Sequence, residues 1–238
     1  MRLLISLLFF ISCHSVAQPN LTVVTELSPP NQMLLNNQVT GVSTELVKMI
    51  IAEAQLNAPI SMYPWARAYK MASHNSNTLI YSMARTPKRE SLFHWIGPVA
   101  QFKMGFVKLT ERSDINFNST EQAKQYKIAV QRHDLASEVL EKRGFELIMT
   151  TDIQKSYQLL LAKKVDLVID DANYLASMSE ELAINANTLT FVHAIEGLTV
   201  DGYLAANVNT DEKVIKALQQ AFLKIKNTPQ YQQLITHN

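Results

Sequence analysis

The sequence predicts an α/β fold built from parallel βαβ units, and three observations lead there. Short apolar runs alternate with stretches of helical periodicity along nearly the whole chain. Several of the helical stretches are bracketed by residues suited to capping. The single cysteine, Cys13, lies near the start, so the rest of the chain has no crosslink and must be stabilised by burial, for which 47% hydrophobic content suffices.

The elements follow in order. Leu21 to Thr25 reads as a buried strand. Ser43 to Asn57 reads as a helix with Leu46, Val47, Ile50, Ile51 and Ala54 on one face, Ser43 as its cap and Pro59 just beyond its end. Ile60 to Tyr63 is a second strand, Trp65 to Ser73 a short helix and Leu79 to Met83 a third strand. A second unit of the same kind follows a strand at Met104 to Leu109. Lys127 to Gln131 is a strand, Asp134 to Arg143 a helix closed by Gly144, Phe145 to Met149 a strand, Asp152 to Lys163 a helix and Val165 to Ile169 a strand. Next come a helix from about Asp171, a strand at Leu189 to Val192, and a passage through Gly197 and Gly202 to Tyr203–Ala206. Two helices end the chain. The longer carries Val214, Leu218, Ala221, Phe222 and Ile225 on one face, and the last opens with Thr228 as cap and Pro229 at its first position. In parallel sheets ligands sit outside the carboxyl ends of the strands, which directs attention to the loops after Thr25, Tyr63 and Met83.

Met1-Arg2 precedes an apolar run from Leu3 to Ile11, and Ser15-Val16-Ala17 supplies small residues for cleavage after Ala17. This reads as a secretory signal over residues 1–17, too short for a membrane span. The rival reading takes Phe10-Ile11-Ser12-Cys13 as a lipobox, which would make Cys13 a lipidated N-terminus. Removing 1–17 takes away Arg2 and no acid, leaving 21 residues of each sign. That balance argues against a nucleic-acid partner, which needs a basic face.

No nucleophile elbow, phosphate-binding loop, His-Glu-x-x-His or Cys-x-x-Cys is present, and the six glycines are scattered singly. His74, His94, His133, His193 and His237 stand at no metal-ligand spacing, so neither metal nor cofactor is expected. Asp170-Asp171 would make a carboxylate pair, but neighbours on a strand point to opposite faces.

The stretch Ser82-Met83-Ala84-Arg85-Thr86-Pro87-Lys88-Arg89-Glu90, followed by Phe93-His94-Trp95-Ile96-Gly97-Pro98-Val99, carries the most specific signal. Taken alone, Arg85, Lys88 and Arg89 read equally as a solvated basic turn. In context the stretch resembles the signature of periplasmic solute-binding proteins of family 3, the polar amino-acid-binding type. The resemblance extends over nearly all of the chain after the leader. It implies a two-lobed fold, each lobe a mixed, mainly parallel sheet flanked by helices: a discontinuous lobe 1 (18–102 plus 201–238) and an inserted lobe 2 (103–200). It also implies a monomer that closes on a small amino-acid-like ligand and hands it to an ABC permease in the inner membrane.

The same resemblance assigns candidate binding residues. Arg89 falls on the carboxylate-binding arginine, whose planar fork matches a carboxylate. Ser82 falls on a serine that bonds the ligand's polar head, or is a plain strand serine. Trp65 falls against the ligand or in the core, and Arg67 is a second anion contact or an inter-lobe ion pair. In lobe 2, Lys127–Asp134 resembles a turn that offers N–H groups to a ligand carboxylate, and Val165–Asp171 a strand whose last aspartate, Asp171, takes the ligand's ammonium. Asp134 and Asp171 have a second role open to them as helix caps. Four departures stand out: Asp134 replaces a hydroxyl residue, His133 replaces a glycine, Ala84 replaces a second polar residue on the lobe 1 strand, and Glu26–Asn31 lacks an aromatic. An aspartate at Asp134 occupies the helix N-terminus and adds negative charge, so a neutral or cationic amino compound is expected over an acidic one. Related enzymes of the cyclohexadienyl or arogenate dehydratase kind, and sensory modules without transport, remain the alternatives.

Overall fold

A computed structural model describes residues 20–236; the leader read over 1–17, Cys13, Gln18 and His237 lie outside them. Lobe 1 opens with β1 (Thr22–Thr25), a hairpin of β2 (Met33–Leu35) and β3 (Gln38–Thr40), α1 (Val42–Glu53), β4 (Ile60–Met62), α2 (Trp65–His74) and β5 (Thr78–Ala84). The strand β6 (Phe93–Leu109) leads into lobe 2, which contains β7 (Ile128–Gln131), α3 (Leu135–Lys142), β8 (Leu147–Thr150), α4 (Ile153–Leu161), β9 (Leu167–Asp171) and α5 (Leu175–Glu181). The strand β10 (Leu189–Asn207) returns to lobe 1, where α6 (Glu212–Ile225) and α7 (Pro229–Thr236) complete the fold.

Eight of the strands form one sheet in the order β4-β1-β5-β10-β6-β9-β7-β8, and β2 and β3 pair separately. Its outer pairs are parallel, as the βαβ pattern requires, and the three central pairs are antiparallel. Strands β6 and β10 have 17 and 19 residues, which at about 3.3 Å per residue is longer than one lobe is deep. They pair from Phe93 opposite Asn207 to Leu109 opposite Leu189, and so form a two-stranded hinge, with Phe102 opposite Val200 in the middle. The sequence reading caught only Met104 to Leu109 and the two ends of β10. Gly97-Pro98 and Gly197–Gly202 look like breaks, but Pro98 sits on the edge of the lobe 1 sheet, where a missing N–H costs no ladder bond.

Successive strand residues serve opposite layers. Val23, Leu79 and Tyr81 face α1, α6 and α7, whereas Val24, Ile80 and Met83 pack on Trp65, Ala68 and Ala72 of α2. Lobe 2 repeats the arrangement, with Ile128, Val130, Leu167 and Ile169 in one cluster and Ala129, Val168, Tyr157 and Leu160 in the other.

Several caps match the sequence reading. Asp134 accepts from the N–H of Leu135, Gly144 takes φ 77° behind α3, and the Thr228 hydroxyl accepts from the N–H of Tyr231 at 3.3 Å. Ser43 does not cap α1. The N-cap is Gly41, and the carbonyls of Pro30 and Asn31 receive the first helical N–H groups from Val42 and Thr44. This ties the loop after β1 to α1, and that loop carries part of the site. The β2–β3 hairpin was unread because its turn residues, Asn36 and Asn37, are not glycines, although both take positive φ, which asparagine tolerates.

Gly41 has φ 115°, and a Cβ there would lie 2.5 Å from the Asn31 carbonyl oxygen. Gly41→Ala is therefore expected to destabilise the protein by roughly 2 to 4 kcal/mol, read as a lowered urea midpoint at unchanged slope.

Candidate functional site

The carboxyl ends of β1, β5, β7 and β9 converge between the lobes around a cavity of about 60 Å³. Lobe 1 contributes Glu26 and Gln32 from the loop after β1, Trp65 from the start of α2, Ser82 from β5, and Arg89. The hinge contributes Phe102, Met104 and Val200. Lobe 2 contributes Gln131, Asp134, Ile153, Asp170, Tyr174 and Met178.

Arg89 is 1% exposed. Its two terminal nitrogens donate to backbone carbonyls, to Ala84 at 3.0 Å and to His133 of lobe 2 at 2.9 Å, and Glu138 stands 3.8 Å away. The guanidinium lies against the rings of Trp65 and Tyr69, 5.7 and 5.3 Å from their centroids. Only Nε has no partner among the described residues. Two of the guanidinium's five N–H groups are thus engaged within the protein, one of them across the lobes. Trp65 does the same: its indole N–H donates to the same His133 carbonyl at 3.0 Å, and its ring belongs both to the lobe 1 core and to the cavity wall.

Ser82 lines the cavity with φ 57° inside a strand, a left-handed conformation that a non-glycine residue rarely takes. Opposite it, Gly202 leaves room for the kink, since a Cβ there would meet the Ser82 Cα at 3.0 Å. The Ser82 hydroxyl has no partner among the described residues, and the same holds for both amide atoms of the fully buried Gln32, for Gln131 Oε1 and for one oxygen of Glu26. Buried polar groups are ordinarily hydrogen-bonded, so a set of such atoms around one cavity marks where a ligand's polar atoms fit.

The two adjacent aspartates have separate roles. Asp171 accepts from the backbone N–H groups of Lys103 and Asn173, which caps the short turn after β9, and it does not line the cavity. Asp170 does line it, holding a hydrogen bond from the Tyr157 hydroxyl at 2.7 Å. The register argument reached Asp171 by counting along the strand, but β9 runs to Asp171 and turns its penultimate side chain inward. Arg67 is exposed, stacks 4.5 Å over the Tyr63 ring and lies outside the cavity. Sequence reasoning missed Gln32, Gln131 and Tyr174, and it weighed Asp170 beside Asp171 without a means to separate them. For Gln131 a signal existed, since it ends a parallel strand. Tyr174 supplies an aromatic ring from lobe 2 that the Glu26–Asn31 loop lacks, and its hydroxyl receives a hydrogen bond from Asn31 across the cleft.

The electrostatics are lopsided. Burial and the neighbouring charges of Asp134, Asp170 and Asp152 push the Glu26 carboxyl well up. Burial raises Asp134, against the pull of Arg89 and of its own helix N–H groups. Asp170 is pushed up to about 7, chiefly by burial, although the Tyr157 hydrogen bond draws it down. No acid in this set but Asp134 has a cation among the causes that act on it.

A carboxyl whose folded value exceeds its ordinary 3.8 stabilises the fold at low pH and loses that contribution as pH rises through the folded value. The unliganded protein should therefore lose stability between about pH 5 and pH 8 relative to Asp170→Asn, which can keep a hydrogen bond to Tyr157. The gap should widen by on the order of 2 kcal/mol in urea titrations across that interval.

Three solved structures resemble the whole arrangement. A histidine kinase sensor domain with similarity to periplasmic binding proteins superposes with TM-score 0.77 at 15% identity, covering 91% of this chain and 94% of that one. The amino-acid ABC transporter substrate-binding protein AbpA of Streptococcus pneumoniae, bound to L-arginine, gives 0.76 at 18% identity, with 91% and 93% covered. The GluR0 ligand-binding core of Nostoc punctiforme, in complex with L-glutamate, gives 0.72 at 21% identity, with 90% and 96% covered. No curated protein matches by sequence. The family model of the bacterial extracellular solute-binding proteins, family 3, matches residues 21–237, and the chain belongs to that family.

Proposed function

We propose that the protein is a periplasmic solute-binding protein that closes its two lobes on a small amino compound and delivers it to an ABC importer. The observation that carries this is the inter-lobe cavity whose polar atoms, Gln32 and Ser82 from one lobe and Gln131 from the other, lack partners within the protein. Such atoms cost free energy until a ligand pairs with them, and a ligand that touches both lobes favours the closed state over the open one. The acids Glu26 and Asp170 select an ammonium group as part of that ligand. We read the protein as a binder without turnover, a lobe 1 of 18–102 plus 201–238 closing on a lobe 2 of 103–200. A sensory module is the second reading, favoured by the likeness to a histidine kinase sensor domain. Loss of labelled-solute uptake on deletion supports import, whereas intact uptake with a lost transcriptional response supports sensing.

Export places the mature N-terminus at Gln18. Intact mass of the secreted protein checks this, and a mass matching an acylated Cys13 would refute it.

Gln32 offers a sharp test of binding. Its amide is desolvated without compensation, so Gln32→Met should leave the unliganded melting temperature unchanged or raise it, the gain reaching about 1 to 3 kcal/mol. A thermal-shift screen over amino acids and amines should find a compound that, at about 100 times its Kd, stabilises the wild type by about 2.7 kcal/mol, roughly 5 to 10 °C. Gln32→Met should lose most of that shift.

A further inference from the structure

From the cleft's own chemistry we infer that its ligand is an amine without a carboxylate, its ammonium placed between Glu26 and Asp170. The inference rests on the binding reading above and narrows it to one chemical class.

A carboxylate needs charged or clustered donors, and the two such groups the cleft could offer an anion, the Arg89 guanidinium and the start of α3, are each engaged by groups of the protein. Each terminal nitrogen of Arg89 gives one N–H to a carbonyl, Ala84 or His133, and the second nitrogen stands 3.8 Å from Glu138, so the guanidinium is anchored within the protein although its Nε–H has no partner among the described residues. The start of α3, the helix N-terminus that opens on the cavity, is covered by its own Asp134, whose carboxylate takes the Leu135 N–H at 2.5 Å. The positive charge of Arg89 acts on that same carboxylate. The ion pair of Arg89 is with Glu138, and Glu26 and Asp170 have no ion pair to any described residue. The charge of Asp170 raises the cost of ionising Glu26, burial raises it for both, and an ammonium between them would relieve both.

The neutral polar atoms point the same way independently. Gln32 is fully buried with both its oxygen and its nitrogen free, and Gln131 Oε1 and one Glu26 oxygen are free as well. Most of these are acceptors, which suits the several N–H bonds of an ammonium better than the lone pairs of a carboxylate. Phe102 and Tyr174 add ring surface for a cation and its carbon chain. Glu26, Leu27 and Ile153 also wall a second cavity of about 220 Å³ that leads outward between Tyr63, Asp152 and Glu181, giving an aliphatic tail an acidic path. Arg67, stacked on Tyr63, is the cation beside that path.

Calorimetry on the exported protein at about pH 8, with pairs differing only by a carboxylate, tests the inference: putrescine with ornithine, cadaverine with lysine, agmatine with arginine, and phenylethylamine with phenylalanine. The tightest compound should be an amine, and it should bind at least tenfold more tightly than its amino acid. If the tightest compound is an amino acid, the inference falls while the binding reading stands; if nothing binds, both fall. Asp134→Ser frees the helix N–H groups and the Arg89 charge, so it should shift each pair's ratio toward the amino acid by tenfold or more. An unchanged ratio would overturn the role given to Asp134. Should that variant fail to fold, Asp134→Asn keeps a cap without the charge and is read the same way.

Discussion

One backbone carbonyl, that of His133, receives both the indole N–H of Trp65 and the guanidinium of Arg89 from the opposite lobe. Much of the site depends on that acceptor. A guanidinium at 1% exposure is costly unless its donors are paired, so the burial of Arg89 and the closure of the lobes require each other. His133 lies between β7 and α3 with φ 65°, outside any ladder, so its carbonyl is left for the other lobe. Across the cavity Ser82 has φ 57°. Two non-glycine residues in the left-handed region, each costing about 1 to 3 kcal/mol, thus stand at the site, Ser82 on the cavity wall and His133 between the lining residues Gln131 and Asp134.

The rest of the inter-lobe contact is thin. Lys88 and Glu138 meet at 3.2 Å with Lys88 exposed, an arrangement worth about 1 kcal/mol or less. Asn31 reaches Tyr174, whose hydroxyl donates to the Gln101 carbonyl on the hinge. Three of the four apolar clusters lie within one lobe, and to the fourth, around Tyr157 and Leu160 in lobe 2, the loop after β1 adds only the partly buried Leu27, so opening the cleft exposes little core. Closure is then a balance between a few buried hydrogen bonds and the desolvated atoms of Glu26, Gln32, Ser82 and Gln131. A ligand shifts such a balance by its differential affinity for the two states, and satisfying those four side chains supplies it.

What the sequence disclosed and what it withheld divide along physical lines. Residues whose role follows from local chemistry were legible: Asp134 as a cap and Thr228 before Pro229. The α/β class was legible because alternating periods survive in short windows. The hinge was not, because β6 and β10 carry Gly97, Pro98, Gly197 and Gly202, which local rules read as breaks and which only the paired strand makes sense of. Asp170 was withheld for a related reason. A one-residue change of register moves a side chain to the other face of a strand, and nothing within Val165–Asp171 tells which aspartate turns inward. Arg89 was found by its place in the chain, but its partners, carbonyls from residues 5 and 44 positions away, were beyond reach.

Fold likeness does not decide what the cleft holds. Structures of this shape at 15 to 21% identity include one solved with L-arginine and one with L-glutamate, ligands whose side chains have opposite charge. The selection has to come from the sign and geometry of side chains set on a common frame. Here the deciding position is the start of α3. A neutral cap would leave helix N–H groups and the Arg89 charge to an anion, whereas Asp134 consumes both, and the two further acids at the ends of β1 and β9 are left to a cation. On the reading proposed above, one side chain at a helix N-terminus acts together with two cleft acids to turn the same fold toward a cation.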